Sequence, residues 1–275
     1  MRILAHLSDI HFGAIDLHLA AVVQEHLAEL RPDITVISGD LTQRARDRQF
    51  RDARTFLDTL PGRQLVVPGN HDVPLWNVYA RFFAPLKGYR RHITQDFMPT
   101  LLDEEVAVIG INTARSFTQK NGRIGREQAD EAAAWLRTID PSVIKIVVTH
   151  HPFDLAETMG KRHLVGRAKM ALERLAAAGA SVLLAGHFHK AYTGGTAYRY
   201  SLGGYSALVV QAGTATSTRL RGTPNSFNIL RIDPPRVTVE LLEWDRHVRR
   251  FLVKETKEYL HEPATGFAKI GEARA

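Results

Sequence analysis

The amino-acid sequence predicts an α/β fold of stacked layers, and three observations carry that expectation. Short apolar runs rich in β-branched residues recur along the chain, amphipathic helical patterns lie between them, and each run ends abruptly at polar residues or glycine. In open α/β sheets, residues just outside the carboxyl ends of neighbouring strands converge on one crevice, so those run ends are the first place to look for chemistry.

In chain order, buried strands are expected over residues 3–7, 34–37, 65–67, 144–148 and 182–185, with a further strand over 106–111. Helices are expected over 17–30, where Leu19, Val22, Val23, His26, Leu27 and Leu30 share one face, over 126–139 around Trp135, and over 168–178, closed by Gly179. After Gly203 strands follow one another without long helices, over 207–211, 227–232, 237–244 and 247–253. These later strands are expected to make a second sheet packed on the first. From Glu255 no periodic apolar face remains, so residues 1–254 read as a single domain and 255–275 as a polar tail.

A chain of 275 residues with 44% hydrophobic and 24% charged residues is long enough to bury a sizeable core and has an ordinary globular composition. It contains no cysteine, so any metal must be held by imidazole, carboxylate, amide or water. No stretch approaches the roughly 18 uninterrupted apolar residues of a spanning helix. His6 and Ser8 interrupt the first apolar run and no cleavage pattern follows it, which points to the cytoplasm. The net charge of +7 suits a phosphate-bearing substrate as well as a nucleic acid, and no separate nucleic-acid module is evident.

Five strand ends carry the candidate ligands. They read Ser8-Asp9-Ile10-His11, Ser38-Gly39-Asp40, Pro68-Gly69-Asn70-His71-Asp72, Thr149-His150-His151-Pro152 and Gly186-His187-Phe188-His189, and hold six of the 13 histidines. Asp9-x-His11 and His187-x-His189 share a two-residue spacing, which on extended backbone points both side chains the same way. Gly186 lets backbone come close to the site. With Asp40, Asn70 and His150 the set reaches seven donors without sulfur, more than one ion uses and suited to two ions sharing a carboxylate.

In that order, the series Asp9-x-His11, Gly39-Asp40, Gly69-Asn70-His71-Asp72, His150 and Gly186-His187-x-His189 resembles the calcineurin-like metallophosphoesterase superfamily. Within it the chain is similar to the bacterial class III cyclic-nucleotide phosphodiesterase and glycerophosphodiesterase branch, through its Asn-His-Asp and His-His-Pro segments and the stretch from Asn112 to Leu136. The resemblance implies a four-layer α/β/β/α sandwich of two mixed sheets flanked by helices. It implies one metal on Asp9, His11 and His189 and a second on Asn70, His150 and His187, with Asp40 bridging. Such a pair lowers the pKa of a shared water and clamps phosphoryl oxygens in an in-line displacement. The expected activity is hydrolysis of a phosphodiester, 3′,5′-cyclic nucleotides among the candidates. Manganese, iron and zinc all suit the donor set.

The resemblance gives His71 the role of proton donor to the leaving group, with Asp72 orienting it. His151, beside the matching His150, reads as a supporting residue. Arg115, Asn121 and Arg123, in a glycine-containing loop after 106–111, are candidate substrate contacts. Arg44, Arg48 and Arg51 share a helical face with Asp47 and Asp52 nearby, which reads as ion-paired surface. Trp76, Trp135 and Trp244 read as packing residues. The chain departs from many relatives after Thr42, where Gln43-Arg44-Ala45-Arg46 replaces an acidic residue and glycine.

Three competing functions are weighed. A phosphomonoesterase or nucleotide pyrophosphatase is disfavoured because the diacylglucosamine pyrophosphate hydrolases typically carry arginine where His71 stands. A nuclease lacks a second binding module. A scaffold would have lost ligands that this chain keeps. The partner expected is a small phosphate-ester substrate, with no obligatory nucleic acid; a homo-oligomer is compatible with the sequence.

Overall fold

Alternation within the strands decides the layering. In β1 (Arg2–Leu7) Leu4 joins one apolar cluster while Ala5 and Leu7 join another, and in β2 (Ile34–Ile37) Ile34 and Val36 side with Leu4 while Ile37 sides with Leu7. The same two-residue period runs through β6 (Ile144–Val148), β7 (Val182–Ala185) and β9 (Leu208–Gln211). Leu4, Ile34 and Val36 meet Ile146, Leu184 and Val210 in a shared core, so two sheets lie face to face. The computed structural model describes residues 1–118, 120–156, 160–220 and 222–270.

The outer faces are covered by helices. The helix α1 (Leu17–Leu30) is started by the Asp16 carboxylate, which accepts from the amides of His18 and Leu19, and its Val23 and Leu27 pack with Phe50 and Phe56 of α2 (Asp47–Thr59). On the other side, α5 (Arg126–Arg137) and α6 (Ala168–Ala176) bury Leu136, Leu172 and Leu175 against Val147, Leu183 and Val209. The result is the four-layer α/β/β/α sandwich.

The first sheet has the order β13-β12-β11-β10-β1-β2-β3, with β3 (Arg63–Val66), β10 (Ser226–Asp233), β11 (Arg236–Asp245), β12 (Arg250–Glu262) and β13 (Gly266–Lys269). The second runs β4-β5-β6-β7-β9-β8, with β4 (Thr100–Leu102), β5 (Val106–Gly110) and β8 (Tyr192–Gly195). β1, β2 and β3 are parallel, as are β5, β6, β7 and β9. Two short helices, α3 (Val78–Phe83) and α4 (Lys87–His92), follow β3.

Two expectations are corrected. The strands after Gly203 do not make a sheet of their own: β10 pairs antiparallel with β1 and carries β11 and β12 on the first sheet, while β9 slots beside β7 in the second. The stretch from Glu255 is no tail as far as Lys269, because β12 continues to Glu262 and β13 pairs back onto it. Past Glu255 the exposed residues of β12 are mostly charged or polar, so a strand with one solvated face shows little apolar signal. Residues 271–275 lie outside the described residues.

Candidate metal centre

Parallel strands all point their carboxyl ends the same way, and the five polar clusters follow the ends of β1, β2, β3, β6 and β7. The structure brings all seven expected donors together. His189 Nε2 lies 3.1 Å from both His11 Nε2 and Asp9 Oδ1, and His11 Nε2 lies 3.6 Å from Asp9 Oδ1. His150 Nε2 lies 3.2 Å from Asn70 Oδ1, 3.3 Å from Asp40 Oδ2 and 3.3 Å from His187 Nδ1. Asp40 Oδ2 is also 3.8 Å from His11 Nε2, which sets this one oxygen between the two groups.

The backbone route differs from the one the spacing suggests. Asp9, His11, Asp40, His187 and His189 all have φ between 52° and 79°, so these ligands sit in left-handed turns rather than on extended strand. Aspartate and histidine tolerate that region better than most residues, yet each position still costs about 1–2 kcal/mol. Glycines let the turns press together. A Cβ on Gly186 would lie 1.8 Å from Ser8 Oγ and 2.6 Å from Asp9 Oδ2, and one on Gly69 would lie 2.1 Å from Asp40 Oδ1.

Hydrogen bonds outside the cluster aim the donors inward. His150 Nδ1–H donates to the Ser38 carbonyl at 2.8 Å, and His189 Nδ1–H to the Arg219 carbonyl at 2.8 Å, leaving each Nε2 lone pair for the site. Asp9 Oδ2 accepts from the Ser8 hydroxyl at 2.7 Å and the His187 amide at 2.9 Å, while its buried Oδ1 accepts from no donor. Around His150 the neighbours are acceptors, a crowding that a cation relieves. Charge agrees: burial opposes ionisation of Asp9 and Asp40, but the surrounding imidazoles hold both carboxylates well below their usual range. Burial likewise opposes charge on His150, and Asp40 outweighs it, raising His150 to about 9. With buried imidazole and carboxylate donors, a part-buried amide and no sulfur, the residues fit a pair of divalent cations.

His71 is placed differently from its expected partner. Its ring lies 4.9 Å from that of His11, its Nδ1–H donates to the Gln43 carbonyl at 3.0 Å, and its Nε2 accepts from Arg219 Nη1 at 3.2 Å. Asp72 does not orient it. The Asp72 carboxylate instead accepts from the amides of Gly69, Leu41 and Thr42 and the Thr42 hydroxyl, lashing this loop to the one that carries Asp40. Burial and the nearby Asp40 charge raise Asp72 to about 6, against those amide donors. His151 donates or accepts at Thr113 Oγ1, 2.8 Å away, with its ring 4.7 Å from that of His187, where it braces the second group.

A cleft of about 310 Å³ opens over the donors. Asn121 lines it and donates to the Arg162 carbonyl, but Arg115 and Arg123 are not among its lining residues. The Arg115 guanidinium bonds to Gln128 Oε1 and the Arg123 carbonyl, and serves its own loop. Gln43 and Phe188, which adjoin the strand-end motifs, line the cleft, as do Lys120, His163 and Arg219, for which the sequence offers no signal tying their remote loops to the strand ends. Arg44 also lines it, whereas Arg48 and Arg51 point outward to Asp52 and Asp47 as expected.

Residues 2–191 match the family model of calcineurin-like phosphoesterases. The chain belongs to that family. This calcineurin-like phosphoesterase is therefore placed among hydrolases that work with metals, in keeping with its buried His and Asp clusters. Over 124 residues it is 32% identical to glycerophosphodiester phosphodiesterase GpdQ of Enterobacter lignolyticus, a match covering 39% of this chain and 45% of that relative. The match thus spans less than half of the relative's length. Among solved structures, purple acid phosphatase PPD1 of yellow lupin seeds superposes with a TM-score of 0.70 at 12% identity, covering 94% of this chain and 53% of that one. A dimetal phosphatase from Danio rerio gives 0.60 at 14% identity, covering 86% and 95%. At such identities both bear on the fold alone. Among the described residues no helix is long and apolar enough to cross a membrane.

Proposed function

We propose that this calcineurin-like phosphoesterase hydrolyses a small phosphodiester, 3′,5′-cyclic nucleotides among the candidates, at a centre of two metal ions. The observation that carries the reading is the position of Asp40 Oδ2, within 3.3 Å of His150 Nε2 and 3.8 Å of His11 Nε2, between two groups of donors. Asp9, His11 and His189 would hold one ion, Asn70, His150 and His187 the other, and Asp40 would be shared. Ions held there would supply Lewis acidity, acidifying water and offsetting charge on the phosphoryl oxygens.

The remaining steps fall to the chain. The Gln43 carbonyl holds His71 Nδ1–H, so Nε2 is the ring atom that, once Arg219 leaves it, takes up a proton from solvent to make the imidazolium and delivers that proton to the leaving oxygen. Arg219, now on Nε2, carries a guanidinium that moves onto a phosphoryl oxygen when substrate fills the cleft. Asp72 acts by holding the loop of Asn70 and His71 against Asp40. The GpdQ relative supports a diester, and a cleft of about 310 Å³ suits a small one.

The test is hydrolysis of bis-p-nitrophenyl phosphate, p-nitrophenyl phosphate, cyclic nucleotides and single-stranded DNA after reconstitution with manganese, iron or zinc. Diesters are expected to turn over fastest and Asp40→Ala to be inactive. Activity that survives in Asp40→Ala, or no activity with any metal, overturns the reading.

A further inference from the structure

The chain leaving the cleft after Leu75 exposes an unusual surface. Trp76, Val78, Tyr79, Phe82, Phe83 and Phe117 are all exposed, Trp76 at 78% and Phe117 at 88%. Trp76 was expected to pack, and it does not. Monomeric proteins rarely show so many large apolar side chains together unless something covers them.

This knob is built rather than loose. Arg81, only 6% exposed, sits inside it and donates to the carbonyls of Pro74, Ser116 and Thr118 at 2.7–3.1 Å, tying α3 to the neighbouring loop. Phe82 meets Phe117 edge-on at 5.2 Å, and Tyr79 lies against Phe83 at 4.8 Å. A second feature adjoins it: a groove of about 650 Å³ with Phe83, Ala84, Pro85 and Leu86 along it and Lys87 and Arg90 at its edge.

Charge identifies the occupant. Residues 73–95 and 111–126, which supply the knob and its borders, contain no aspartate or glutamate. Lys87, Arg90, Arg91 and Lys120 are exposed there, and the carboxylates at this border are Asp47 of α2, which pairs with Arg91 and His92, and exposed Asp96, set between the groove-lining Gln95 and Phe97. Pairing two copies through the knob would set these cations against each other. A nucleic acid would use the cations but leave the apolar groove empty. We propose that the knob and groove form a docking surface for an anionic lipid bilayer, aromatic side chains entering the interface and the basic border meeting headgroups. The metal cleft, lined by Leu75 and Lys120, would then open beside the membrane.

Co-sedimentation with phosphatidylcholine vesicles, with and without phosphatidylglycerol, tests this on the full chain, with Trp76 fluorescence as a second readout. The wild type should pellet with the anionic vesicles and shift its emission to the blue. Trp76→Ser/Phe83→Ser/Phe117→Ser and Lys87→Glu/Arg90→Glu should each lower the partition at least about tenfold with an unchanged Tm. The proposal is overturned if the wild type pellets with neither vesicle or if the serine variant binds as well as the wild type. It is equally overturned if the serine substitutions instead abolish self-association in sedimentation velocity or binding of single-stranded DNA. The outcome does not depend on whether the cleft hydrolyses a diester.

Discussion

The floor of the cleft is made of donors set just beyond parallel strands, several of them steadied by a backbone group, whereas the rim is made of side chains brought in by loops far apart in sequence. On the floor, His150 and His189 are fixed through Ser38 and Arg219 carbonyls, and Asp9 through the His187 amide. On the rim, Arg219 reaches His71 across 148 positions of sequence and the guanidinium remains partly exposed. The difference teaches that the floor decides whether chemistry occurs and the rim decides on what, so substitutions in the two zones should fail in different ways.

The sharpest break comes from Asp40→Ala, which removes the oxygen shared by both groups. A loss of about a thousandfold or more in kcat/KM is expected, together with lowered metal content by atomic emission. His71→Ala should lower kcat on an alkyl diester by about 10²–10⁴-fold while metal content stays at the wild-type level, a pairing that no floor substitution should reproduce. Gly186→Ala inserts a methyl group against Ser8 and the donor Asp9 while leaving all seven donor side chains in the chain, and about a tenfold to hundredfold weaker metal affinity in competition with a chelator would follow.

Arg219→Ala sharpens the rim side: kcat/KM should drop about tenfold or more through KM and kcat together, inhibition by inorganic phosphate should weaken, and metal content should hold. Asp72→Asn should show the smallest effect on turnover. It trades acceptor capacity used by three amides for a mismatched NH₂, so about 1–3 kcal/mol of stability should go, read as a lower Tm. If Asp72→Asn instead removes as much kcat as His71→Ala and leaves Tm alone, it works through the His71 ring after all.

How much of this was legible in the sequence follows the same division. The strands of the two parallel cores and α1 stand where periodicity puts them, because each is buried on a face that leaves an apolar record. The seven donors stand together because strand order converts five separate motifs into one place. Left-handed turns at Asp9 and His189 leave no such record, since aspartate and histidine look the same in a turn as on a strand. The later half of β12 hid because its exposed residues past Glu255 are mostly charged or polar, and α3 hid because its apolar residues point to solvent. Arg219 was invisible for a plainer reason: its neighbours in space, Gln43 and His71, belong to the far end of the chain.

Five of the seven donors occupy a backbone region that suits glycine and asparagine better than themselves. Natural selection for folding alone would erode them. Exchanging His187 or His189 for glycine should yield a protein that melts later in the absence of metal while binding metal worse, since relief of the turn is kept and the donor is lost. Persistence of histidine and aspartate at these points in any lineage of such chains would thus mark continuing use of the centre, and drift toward glycine or asparagine would mark its retirement.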